Sequence, residues 1–164
     1  MATPFEKVGD HFLGKITDDM YLELTPEDTK RDLNTLLINA IPSFEFPRQS
    51  LEYTSSESID TEEVSYSFKS DLTLEEINIL ATIMLDSWLQ RQITSIENTR
   101  MKYSGTDFKM TSQANHLAKL MTLQSNVAAQ SLHLQRLYKR RKTDENGRIR
   151  SNWSSLLGVS ALDD

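Results

Sequence analysis

The chain has 164 residues with 18 basic and 24 acidic side chains, a net charge of −6, and no cysteine. That length fits one domain, and the missing thiols exclude disulfides, thiolate metal sites and cysteine nucleophiles. An apolar share of 38% predicts a modest core with arms or loops outside it; no apolar run approaches the ~18–20 residues of a bilayer span, so no membrane partner is expected.

Residues 1–24 carry Phe5, Phe12, Leu13, Ile16, Tyr21 and Leu22 without a sustained period. They are expected to form an N-terminal arm that packs at points. Its opening lacks a basic stretch followed by an apolar one, so no signal peptide is expected. Thr25 is a helix cap, Pro26 suits the first helical position, and Glu27 and Asp28 favour the positive helix end. A helix is predicted over 26–41, with Leu33, Leu36, Leu37 and Ala40 or Ile41 inward, stopped by Pro42.

Residues 44–70 are predicted as a β-hairpin insertion. Val64, Tyr66 and Phe68 alternate with polar residues, as in a half-buried strand. Strands over 49–54 and 62–68 are expected to pair across a Ser-, Glu- and Asp-rich loop at 54–60. Thr73 and Glu76 then make a capping-box pattern. The helix behind it should run over 73–100. Its first half is apolar almost all round, with Leu74, Ile77, Ile79, Leu80, Ile83, Met84, Leu85, Trp88 and Leu89, and so must be covered on more than one side.

A turn at Ser104–Asp107 precedes a third helix, predicted over 111–140. Leu117, Leu120 or Met121, Val127 or Ala128, Leu134 and Tyr138 form its apolar stripe. The two long helices are expected to form an antiparallel hairpin. The core should then hold Ile77, Leu80, Ile83, Met84, Trp88, Leu117, Leu120, Val127 and Leu134. The fold class is mainly α: this hairpin, a shorter N-terminal helix, a small β-hairpin, and extended N- and C-terminal arms. The core domain spans 25–142. Residues 143–164 form a tail with a turn at Asn146–Gly147 and apolar or basic anchors at Arg148, Ile149, Arg150, Trp153, Leu156 and Leu157, expected to dock on a partner.

Candidate chemistry is sparse. His116 and His133 lie 17 apart on one helix, about 100° out of phase, and with His11 fit no metal frame. The acidic pairs Asp18–Asp19, Glu62–Glu63 and Glu75–Glu76 show no convergence in a cleft. Asp144–Gly147 lacks the other ligands of a calcium loop, and no phosphate loop or nucleophile elbow occurs. No enzyme activity, metal or cofactor is expected.

Charge distribution says more. Residues 1–76 carry 17 acidic and 6 basic side chains, whereas 77–164 carry 7 and 12. Opposite halves of neighbouring copies would attract one another. The sixteen residues between Lys119 and Arg136 include no charge. Interfaces are depleted of charge at their centre, so Gln124, Asn126, Gln130, Ser131, His133 and Gln135 are expected to line an oligomer interface. Arg136, Lys139, Arg140, Arg141 and Lys142 form a basic cluster. Its cations suit a helix C-terminus, an acidic partner, or nucleic acid, although the overall acidity opposes tight DNA binding.

The run Asp71-Leu72-Thr73-Leu74-Glu75-Glu76-Ile77-Asn78-Ile79-Leu80-Ala81, with Trp88-Leu89, Ile96-Glu97-Asn98 and Phe108-Lys109-Met110-Thr111-Ser112-Gln113-Ala114-Asn115-His116-Leu117, resembles small neck proteins of tailed bacteriophages, the head-to-tail connectors or adaptors. The resemblance covers about residues 30–142 and rests on helix texture and a few words. It implies a helical core with arms, and a homo-oligomeric ring, commonly of twelve copies, beneath the portal protein. Such a ring extends the channel through which DNA passes without sequence-specific binding, and presents a surface to downstream neck or tail proteins. It further implies a virion component at the head–tail junction, made in the host cytoplasm, without catalysis or cofactor. Two alternatives stay open: a non-virion helical adaptor or regulator that binds a partner through its helical hairpin, and a nucleic-acid binder using the C-terminal basic cluster.

Overall fold

The computed structural model describes residues 2–16, 20–57, 64–102, 110–143 and 149–151. In chain order it comprises α1 (Phe5–Leu13), a single turn α2 (Met20–Glu23), α3 (Pro26–Ala40), a 3-10 turn (Ile41–Ser43), β1 (Tyr53–Glu57), β2 (Val64–Phe68), α4 (Leu74–Lys102), α5 (Met110–Arg140), β3 (Arg141–Thr143) and β4 (Ile149–Ser151). The fold is mainly helical with a small antiparallel hairpin.

α4 organises it. Its N-terminal half is covered by α1 and α3 as well as α5, apart from Leu74 at its start, which was expected to be covered but is 67% exposed because it precedes the first packed turn. Ile77, Ile79, Leu80, Ala81, Ile83, Met84 and Leu89 are all buried, and Trp88 nearly so. From α5, Leu117, Val127 and Tyr138 are buried, with Leu120 and Leu134 half-buried against the same core.

The segment expected as an arm with scattered anchors is helical over residues 5–13. Phe5, Val8 and Phe12 are buried on one face, at the three- and four-residue spacing of a helix. Pro4 precedes α1 and offers no side-chain cap, so packing rather than local signals holds the helix. A Cβ on Gly9 would lie 3.3 Å from Cδ1 of Leu33; the glycine lets α1 approach α3 closely. Thr3 pins the start: its hydroxyl accepts from Leu72 N–H at 2.8 Å and donates to Asp71. Its backbone also bonds Ser70 and Phe68.

The hairpin register differs from expectation. β1 is Tyr53–Glu57, pairing Tyr53 with Phe68 and Glu57 with Val64. Four residues expected in the loop, Thr54–Glu57, are strand. The polarity of Thr54, Ser55 and Ser56 fits their exposure: backbone pairing defines β1, and Ser56 and Ser65 hydroxyls meet across it at 2.7 Å. The hairpin is anchored by Phe5, whose ring lies 4.7 to 5.5 Å from those of Phe68, Tyr53 and Tyr66. The expected C-terminal tail also begins differently, since β3 and β4 pair as a second short hairpin, Arg141 opposite Ser151.

Two polar joints fix the helices. Arg91 on α4 grips Asp32 on α3 at 2.7 and 2.9 Å, and Tyr21 donates to the same carboxylate at 2.7 Å. The Arg91 bonds hold the Asp32 carboxyl below its ordinary range, against the pull of desolvation. Burial and the Asp32 bond push the Tyr21 phenol up. The second joint is Glu76. Its side chain is 0% exposed, yet it accepts from Tyr138 Oη at 2.5 Å, Gln49 N–H at 3.1 Å, and both the N–H and hydroxyl of Thr73 at 2.8 and 2.9 Å. Desolvation raises its pKa, but these donors outweigh it and leave the carboxyl below its ordinary range. Glu76 therefore closes the α4 capping box and locks both a loop and the end of α5 onto it.

The Glu76 stabilisation is complete above its unfolded-state pKa and is lost as pH falls through the lowered folded value. The stability difference between wild type and Glu76→Gln, measured by urea unfolding, should therefore shrink on acidification below about pH 4.5. Ile83→Asp, which buries an unpaired charge in the core, should cost several kcal/mol and leave no cooperative unfolding transition.

Candidate assembly surface

α5 has two unlike sides. One lies on α4 and includes Leu117, Gln124, Val127, Ser131, Gln135 and Tyr138, at steps of three, four or seven residues. Three residues expected at an oligomer interface are thus used within the protomer. Ser131 and Gln135 are each only 6% exposed. The Gln135 carbonyl oxygen accepts from Glu45 N–H at 2.9 Å, and its amide donates to Ser131 at 3.4 Å. Gln124 donates to Asp86 of α4 at 2.8 Å. This corrects the sequence expectation: part of the charge-free stretch is uncharged because its amides and hydroxyls are buried against α4 and the 44–49 loop, where a charge would lose its hydration.

The other side faces outward. Asn126, Gln130 and His133 are exposed there. Met121, an alternative for the core stripe, and Leu132 are exposed there as well, at 51% and 45%, whereas Leu123, 48% exposed, lies on the opposite flank of α5 beside α4. Met121, Ala128 and Leu132 follow one another at seven- and four-residue steps and form a stripe along α5.

The basic cluster is divided as well. Arg136, Lys139 and Arg140 are exposed, but Lys139 sits 3.7 Å above the Phe46 ring. Arg141 pairs with Glu75 of α4 at 2.9 Å. Lys142 belongs to β3; its side chain is not among those described. The α5 terminus is capped instead by Arg48, which donates to the carbonyls of Tyr138 and Arg141 and stacks 4.1 Å over the Tyr138 ring. Two of the five cations, Lys139 and Arg141, are thus engaged within the protomer, and Arg136 and Arg140 stand exposed. Of the tail residues, Ile149 and Arg150 lie in β4, while Arg148, Trp153, Leu156 and Leu157 fall outside the described residues.

Among the described residues no group of three or more His, Asp or Glu side chains is placed to hold a metal ion, and no helix is long and apolar enough to cross a membrane. A groove of about 440 Å³ lies between α4 and α5, closed at one side by Lys15 and Ile16. No protein-family profile, curated protein or solved structure matches the chain.

The two sides of α5 should separate in mutagenesis. Gln135→Ala strips the Glu45 N–H of its acceptor and should cost about 1–3 kcal/mol in urea unfolding. Gln130→Glu, on the outer side, should stay within about 0.5 kcal/mol of wild type.

Proposed function

We propose that this chain is a non-enzymatic structural protein of the tailed-phage neck, assembling as a ring that joins the portal to the tail and extends the DNA channel. One observation carries the reading: between Lys119 and Arg136, α5 keeps an outward, charge-free side bearing Met121 and Leu132. A side of that kind suits lateral contact with another helix, since interface centres are depleted of charge. The sequence resemblance to connector proteins supplies the biological setting. The unequal charge of the two halves supports copies meeting acidic face to basic face.

The same stripe suits a helix of a different partner, so the adaptor or regulator is the second reading. A virion proteome that lacks the chain would decide for it.

Light scattering of the chain, alone and with portal rings, should give a mass several times that of the protomer. A strict monomer that never joins a portal ring would overturn the proposal. Leu132→Asp should reduce this mass while leaving far-UV circular dichroism unchanged.

A further inference from the structure

α5 carries four basic and no acidic side chain over its 31 residues. Its outward stripe of Met121, Ala128 and Leu132 continues one turn on into exposed Arg136, and a turn further into exposed Arg140. Such a surface is complementary to an apolar trough with an acidic rim.

The chain has one elsewhere. A groove of about 370 Å³ runs between α1 and α3, with Phe5, Gly9, Leu13, Leu24, Pro26 and Leu33 in its walls. Leu24 is 37% exposed there. Of the charged groups in the lining, Glu6 and Lys30 pair with each other at 2.9 Å. That leaves Asp10, which is exposed and has no ion-pair partner among the described residues. Exposed Glu23 adjoins Leu24, and exposed Glu27 follows Pro26. The surplus charge around the groove is therefore negative. Lengths agree within about one helical turn: Met121 to Leu132 covers about 17 Å, and Phe5 to Leu13 about 12 Å.

A chain cannot fill its own groove in this way. α5 is fixed on α4 by the Tyr138–Glu76 and Gln124–Asp86 bonds, while α1 and α3 pack on α4 and on each other. The outward side of α5 points away from that body and meets a groove only on another molecule. Pairing with a second α5 would bring together only cations, since neither helix has an acid to offer.

We infer that the outward side of α5, from Met121 to Arg140, packs into the α1–α3 groove of a second copy. The two surfaces differ, so the contact is head-to-tail and can close into a ring. The inference rests on the ring reading above and names the contact that builds the ring.

Two charge-reversed full chains test it, by light scattering with and without portal rings. One carries Arg136→Glu with Arg140→Glu, the other Asp10→Arg with Glu27→Arg. All four positions are exposed, so far-UV circular dichroism should match wild type. Each variant alone sets like charges together and should associate at least about tenfold more weakly. Mixed in equal amounts they should regain the wild-type mass, because an acidic stripe then meets a basic rim and a basic stripe an acidic rim. A rim variant that assembles like wild type, or a mixture that stays dissociated, would overturn the inference. Portal-bound rings indifferent to both reversals would sink this contact and leave the neck reading standing. A recovering mixture that never joins a portal would do the reverse.

Discussion

A carboxylate withdrawn from water must be repaid in donors, and Glu76 collects four. Two come from Thr73 in the capping box, one from the Gln49 backbone and one from the Tyr138 hydroxyl. Three chain segments converge on this side chain: the start of α4, the loop before β1 and the end of α5. Arg48 completes the joint from the same loop by stacking on Tyr138 and capping the α5 carbonyls. Buried charges add little net stability over apolar packing, yet losing one partner is expensive. Such a joint specifies register: α5 cannot slide along α4 without stranding Glu76.

That constraint explains the division of labour on α5. With Tyr138 fixed, Gln135 and Ser131 must face the loop at Glu45, and Val127 and Leu117 must face α4. The outward side is what remains, and it carries Met121 and Leu132 without a charge to solvate them. α4 has no comparable free side in its first half, where helices cover it from both directions. The asymmetry between the long helices is the physical basis for assigning assembly to α5.

Much of this was legible in the sequence where local chemistry signals itself. Thr25 and Pro26 begin α3, with the Thr25 hydroxyl accepting from Asp28 N–H at 3.1 Å. Thr73 and Glu76 announce α4, and Val64, Tyr66 and Phe68 alternate as a strand. What escaped depends on partners distant in the chain. α1 has no side-chain cap and two nearby glycines, so its helix shows only once α3 and α4 are present to cover it. β1 is polar and takes its identity from β2. The dual use of Glu76, as cap and as acceptor for a tyrosine 62 residues away, has no local trace. The buried amides of α5 looked like interface residues because inter- and intramolecular burial select the same uncharged types.

The bonds that close the fold span the chain: Thr3 to Leu72, and Glu76 to Tyr138. During synthesis, α1 has nothing to lie on until α4 has left the ribosome. Glu76 then waits for some sixty further residues before its last donor arrives. At about 5–20 residues per second, that wait lasts several seconds. The half-made chain would hold an apolar α4 without its α5 cover, at the stage when such surfaces attract chaperones. Closure of the core, and with it the first presentation of an ordered outer α5 surface, therefore waits until α5 itself has been made.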